Sequence, residues 1–142
     1  MLKLVLGVVL VVQLSGPGGA LPQILHPDFK ASRPIKAGKS GEVTVSFNLL
    51  NGYAINHTPP ISLKLTATAG VRLKQTDFVT PPKDPKSKDE YYVDLPVIKV
   101  PVTAAKAGDY EVPAKLVYFF CSKSDGFCSR QVLDIKIPVK VE

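Results

Sequence analysis

"KLVYFFCSKSDGFCSRQVLDIKI", Lys115 to Ile137, is the stretch that decides how this chain folds. Two runs, KLVYFFC and CSRQVLDIKI, flank a short polar connection, SKSDGF. Asp125-Gly126 lies in that connection and supports a chain reversal, since both residue types suit the backbone of tight turns. The stretch therefore predicts a hairpin in which Cys121 ends one strand and Cys128 begins the next. Directly opposed residues of such a pair have Cα atoms about 4.5–5.5 Å apart, which suits a disulfide.

Working back from the hairpin, the same strand character recurs. "EVTVSFNL" (Glu42 to Leu49) sets Val43, Val45, Phe47 and Leu49 on one face and polar residues on the other. That period of two predicts a half-buried strand. "ISLKLTA" (Ile61 to Ala67) repeats it, and "VRLKQTDF" (Val71 to Phe78) follows a turn at Gly70. A polar loop, Thr80 to Glu90, breaks the pattern. "YYVDLPVIKVPVT" (Tyr91 to Thr103) predicts a strand that Pro96 and Pro101 place at an edge or a bulge. Leu21 to Pro34 reads as a mixed lead-in. No segment holds a helical period, and the 13 prolines argue against a helical fold. The expectation is an all-β protein: one domain, an immunoglobulin-like antiparallel β-sandwich of about seven strands.

The first 20 residues are predicted to lie outside that fold. Lys3 precedes an apolar run from Leu4 to Val12, and the segment ends in small residues, Gly18 and Ala20, as a secretory signal peptide does. The run is shorter than the roughly 20 residues a transmembrane helix needs. The expectation is an exported, periplasmic chain, residues 21–142, cleaved near Ala20 and with no membrane span. Losing Lys3 takes the formal charge from +6 to +5. Its lysines are spread out, and Lys83, Lys86 and Lys88 alternate with Asp84, Asp89 and Glu90, so no nucleic-acid surface is expected.

Export bears on the cysteines, since two thiols in an oxidising compartment usually pair. His26 and His57 are the only histidines, Met1 is the only methionine, and no C-x-x-C spacing exists. Zinc, blue-copper and haem sites therefore lack ligands, and no metal or cofactor is expected. No G-x-S-x-G motif supports hydrolysis. Asn56-His57-Thr58 fits a glycosylation sequon, a short motif that matters only in a glycosylating host. The residues alone leave two readings of the cysteines open. One is a hairpin staple, stabilising by roughly 2–3 kcal/mol through loop closure. The other is a pair that exchanges with partner thiols.

Four stretches, in order, carry a resemblance: "NGYAINHTPP" (Asn51 to Pro60), "KVPVTAAKAGDYEV" (Lys99 to Val112), "LVYFFCSKSDGFC" (Leu116 to Cys128) and "VLDIKIPVKV" (Val132 to Val141). Together they resemble the amino-terminal periplasmic domain of the thiol:disulfide interchange protein DsbD family, over about Gly41 to Val141. The resemblance implies an immunoglobulin-like fold with Cys121 and Cys128 as a redox-active pair. It implies electrons taken from a separate membrane-embedded reductase and passed to periplasmic thioredoxin-like proteins, disulfide isomerases and cytochrome c maturation factors among them. Cys128 would attack the partner's disulfide and Cys121 would resolve it. An aromatic cap would come from the stretch Phe78 to Tyr92, with Phe78, Tyr91 or Tyr92 as the covering ring, and Tyr53 and Phe127 as further walls. The chain departs from the family after the second cysteine, where Ser129-Arg130-Gln131 replaces an aromatic-Pro-Pro. The alternative is an accessory binding domain with a structural disulfide.

Overall fold

The computed structural model describes residues 22–81 and 89–142; the predicted signal peptide and most of the polar loop lie outside them. Nine strands follow one another: β1 (Leu25–Ala31), β2 (Ser40–Leu49), β3 (Tyr53–Ile55), β4 (Ile61–Leu65), β5 (Arg72–Leu73), β6 (Asp77–Thr80), β7 (Ile98–Thr103), β8 (Gly108–Ser122) and β9 (Cys128–Val141). They form two antiparallel sheets packed as a β-sandwich. One has the order β1-β2-β7-β5. In the other, β8 is central: β9 pairs along one side, β3 and β4 pair end to end along the other, and β6 lies outside β4.

The expected all-β sandwich is present, with nine strands rather than about seven. The extra elements carry weak sequence signals. β1 arises within the segment read as a lead-in; Pro27 interrupts its pattern, yet β1 is an edge strand, where proline is tolerated. β3 and β5 hold three and two residues, too few to show a period. The run Val71 to Phe78 divides into β5 and β6 across exposed residues 74–76. Of Tyr91 to Thr103, only Ile98–Thr103 becomes strand. Before Ile98 the chain makes a single bridge, Tyr91 to Asn56, and leaves Val93 83% exposed.

Alternation on β8 builds the core. Val112, Ala114, Leu116, Tyr118 and Phe120 face inward and are buried, against Val43, Val45, Val100 and Val102 of the other sheet. Tyr118 is the largest fully buried side chain and carries a hydroxyl into this apolar layer. Burying that hydroxyl alone would be costly. Here it accepts the Leu25 N–H at 3.0 Å and donates to Oε1 of Gln131, its rung partner on β9. Gln131 Oε1 also accepts the Ile24 N–H at 3.1 Å, and its Nε2 donates to Pro22 O at 3.2 Å. The amino-terminal strand of one sheet is thereby tied to the central hairpin of the other.

Burial pushes the Tyr118 phenol above its ordinary range, and hydrogen bonds from the Leu25 and Ile24 backbones pull the other way. Tyr118→Phe removes the acceptor and strands the Leu25 N–H, so urea unfolding should show a loss of about 1–3 kcal/mol. The folded state also holds the phenol proton more tightly than the unfolded chain does. Native stability should thus fall as pH rises above about 10, where the unfolded phenol ionises and the buried one does not. In Tyr118→Phe that alkaline component should vanish; an unchanged slope would show that Tyr118 is not its source.

Candidate functional site

The β8–β9 hairpin turns through residues 123–127. Gly126 takes a left-handed backbone (φ 65°), which glycine adopts without a steric penalty. Its N–H donates to Ser122 O at 3.0 Å, and the Ser122 N–H donates to Phe127 O at 2.6 Å. Ser122 is buried, and its hydroxyl is 3.2 Å from Ser124 Oγ and 3.4 Å from the Asp125 N–H. Lys123 N–H reaches back to Gly52 O at 2.9 Å, docking the turn on the loop before β3. The turn is thus held by its own backbone bonds.

Cys121 and Cys128 are joined in a disulfide and form the last rung of the ladder, with Cα atoms 4.0 Å apart. Since the next pair, Ser122 and Phe127, exchanges a hydrogen bond, the cysteines occupy a non-hydrogen-bonded rung, where opposed side chains lie closest. Their parity places them on the face of the sheet turned away from the core. The even-numbered neighbours Phe120 and Ser122 point into the sandwich, whereas Val117, Phe119 and Cys121 share the outer face. On β9 the outer face carries Cys128, Arg130 and Val132.

The two sulfurs sit in unequal surroundings. Cys121 lies between two strands, paired with Ala54 of β3 on one side and Cys128 on the other, and is 5% exposed. Asn56 Oδ1 is 3.5 Å from its Sγ. Cys128 starts an edge strand and is exposed. An attacking thiolate therefore has a route to Cys128, while Asn56 and the β3 side obstruct Cys121. Phe119, two residues from Cys121, and its rung partner Arg130 form the next rung on this face.

The aromatic residues expected around the pair divide by position. Tyr53 and Phe127 lie on the core side of the sheet, where both rings stack edge-to-face on Phe120, at 5.8 and 6.4 Å. They close the end of the core, on the face opposite the disulfide, although Phe127 remains 49% exposed. Phe78 pairs with Leu63, itself opposite Leu116; at about 3.4 Å per residue that rung is about 17 Å along β8 from Cys121. Tyr92 is held elsewhere, its hydroxyl donating to Thr80 O at 2.5 Å and accepting the Ile61 N–H at 2.9 Å. Of the five, Tyr91 is bridged to Asn56, the residue whose Oδ1 lies 3.5 Å from Cys121 Sγ. Residues 82–88 of the expected cap stretch lie outside the described residues.

Asn56 and Phe119 escaped the sequence reading. Asn56 is 65 residues from Cys121; the sequence marks it as part of a sequon and of the Asn51 to Pro60 stretch, not as a neighbour of the cysteines. Phe119 could have been found by counting parity back from Cys121. His26 is exposed on β1, and His57 is engaged with Thr58 Oγ1, Asp89 O and the Tyr92 ring. Among the described residues no three His, Cys, Asp or Glu side chains gather as a metal set.

No protein-family model matches the chain, and no curated protein matches it significantly. After reduction of the folded protein, a limiting alkylating reagent should label Cys128 well before Cys121, read by peptide mass mapping. Equal labelling would contradict the asymmetry.

Proposed function

We propose that the chain is an exported thiol:disulfide exchange protein of the DsbD amino-terminal type, working through Cys121 and Cys128. The observation that carries this reading is the unequal exposure of the two sulfurs: one open at a strand edge, its partner sheltered beside it. An exchanging pair needs that division of labour, whereas a staple gains nothing from it. A staple also has little left to do. The hairpin is already zipped by fourteen rungs, and loop closure over so short a turn adds about 2–3 kcal/mol.

In the reduced protein, the Cys128 thiolate attacks one sulfur of the partner's disulfide. An Sγ–S bond forms, the partner's S–S bond breaks, and its other sulfur leaves as a thiolate. Cys121 then attacks Cys128 Sγ, re-forming the internal disulfide and releasing the partner's second thiolate. Two electrons pass to the partner, both its sulfurs end reduced, and no cofactor takes part. The reverse sequence, begun by a donor dithiol at Cys128, recharges the pair. Asn56 Oδ1 beside Cys121 can accept a hydrogen bond from the resolving cysteine's thiol, whose proton passes to the partner thiolate released in the first step or to water when Cys121 attacks. The partners this chemistry fits are thioredoxin-like proteins and, for recharging, a separate membrane-embedded reductase. Residues 1–20 supply the export signal in this reading.

Equilibration of the folded protein with glutathione or dithiothreitol should give a reduction potential above about −300 mV, more oxidising than structural disulfides. Cys121→Ser should accumulate a mixed disulfide through Cys128 with a thioredoxin-like protein. A bridge that stays oxidised until the chain unfolds would overturn the proposal in favour of an accessory domain with a structural disulfide.

A further inference from the structure

Cys128 begins a strand whose outer edge is uncovered at one end only. Rungs of the β8–β9 ladder alternate from the hydrogen-bonded pair Ser122–Phe127, so Ser129, Gln131 and Leu133 turn their backbone N–H and C=O groups toward β8. Cys128, Arg130, Val132, Asp134 and Lys136 turn theirs outward. The same parity holds at the far end. Glu142 donates its N–H to Ile35 O at 2.8 Å and accepts the Ala37 N–H at 3.0 Å. Ile35 also bridges Val141, and Pro138 has no N–H to offer. That end of the edge is closed. Among the described residues nothing bonds the outward backbone groups from Cys128 to Lys136, and all five residues are exposed.

The disulfide ends at this edge. Cys121 lies on central β8, with Ala54 of β3 and Asn56 Oδ1 on its other side, whereas Cys128 lies on β9, beyond which no strand pairs among the described residues. Cys128 Sγ is therefore the sulfur that a chain arriving along the open edge can reach.

We propose that the β9 edge from Cys128 to Lys136 is a docking rail for an extended, cysteine-bearing segment of the exchange partner, which adds antiparallel to β9 and sets its cysteine opposite Cys128. The proposal rests on the exchange reading above. Cys128 would form a hydrogen-bonded pair with the added strand, with Cα atoms about 5.5 Å apart, the spacing that disulfides favour. Main-chain bonds supply affinity and alternate side chains supply specificity, as in other strand additions. The side chains sharing the face of Cys128 are Arg130, Val132 and Asp134. The fitting segment therefore carries an acidic residue two positions before its cysteine, an apolar one four before and a basic one six before. The step balances as above: the Cys128 thiolate bonds to the segment's cysteine sulfur, and the thiolate previously bonded to that sulfur leaves with the electron pair.

The test uses Cys121→Ser and a short synthetic peptide of that pattern, its cysteine capped as the disulfide of a chromogenic thiol whose release reports attack by Cys128. N-methylation of peptide amides that face β9 should slow release about tenfold, the equivalent of one or two hydrogen bonds, while N-methylation at the alternate positions should leave the rate unchanged. A second measurement needs no cysteine substitution. In the native chain, the peptide with serine in place of cysteine should protect the amides of Cys128, Arg130, Val132 and Asp134 from hydrogen exchange. Arg130→Glu should abolish that protection, and a lysine in place of the peptide's acidic residue should restore it. Equal rates for both methylated peptides, with no new protection, overturn the rail. So does protection of those amides in the chain alone, the mark of self-pairing. If Cys121→Ser reacts with no disulfide at all, oxidised glutathione included, the exchange reading itself fails. If it reacts with glutathione and every peptide alike, exchange stands and the rail falls.

Discussion

The register of β8 against β9 is the constraint on which the rest of this protein depends. Fourteen rungs run from Gly108–Val141 to Cys121–Cys128 without a bulge. Strand side chains alternate, so one register assigns two faces at once. It sends Leu116, Tyr118 and Phe120 into the sandwich and brings Cys121 and Cys128 together on the outside. A slip by one residue would expose the aromatic core and part the cysteines. The register is pinned at both ends, by the Asp125-Gly126 turn and by the bonds of Glu142 to Ile35 and Ala37, and in the middle by Tyr118 and Gln131.

That pinning is done by backbone and core as well as by the disulfide. The chemistry of the disulfide is set by position within the sheet. A residue of a central strand is flanked on both sides; the first residue of an edge strand is not. Cys121 and Cys128 are direct neighbours, yet one is sheltered by β3 and Asn56 and the other faces outward. The difference needs no special loop.

Much of this was legible in the sequence. The hairpin announces itself through two apolar runs around Asp-Gly, and the period of two from Glu42 to Leu49 is the buried pattern observed, with Val43, Val45 and Phe47 buried. What was not legible depends on partners distant in sequence. β1 became strand because β2 offered it seven rungs, despite Pro27. Tyr91 to Val97 stayed irregular because no strand lay alongside it beyond Asn56. The aromatics expected around the cysteines came from the family resemblance, and strand parity sorts them otherwise. Tyr53 and Phe127 went to the core side, since each is an odd step from the cysteine rung. Asn56 reached Cys121 because β3 pairs with β8, a pairing of three rungs with no local signal.

An uncovered strand edge is ordinarily a hazard, since unpaired backbone groups invite association with other chains. The far half of β9 is defended in the usual ways, by Lys136, Pro138 and Lys140 and by the Ile35–Ala37 segment. The half that begins at Cys128 has Arg130 and Asp134 as its only charges before Lys136, with the exposed Val132 between them. That distribution is informative because exposure of the sulfur and exposure of the edge have one cause. In the exchange reading, covering β9 with a further strand would protect the backbone and, in the same stroke, bury the sulfur that a partner thiolate must reach. A staple could have been covered without loss. An exchanging sulfur requires the edge to stay open, and an open edge next to a reactive sulfur is also the simplest means of holding the incoming chain in line for attack.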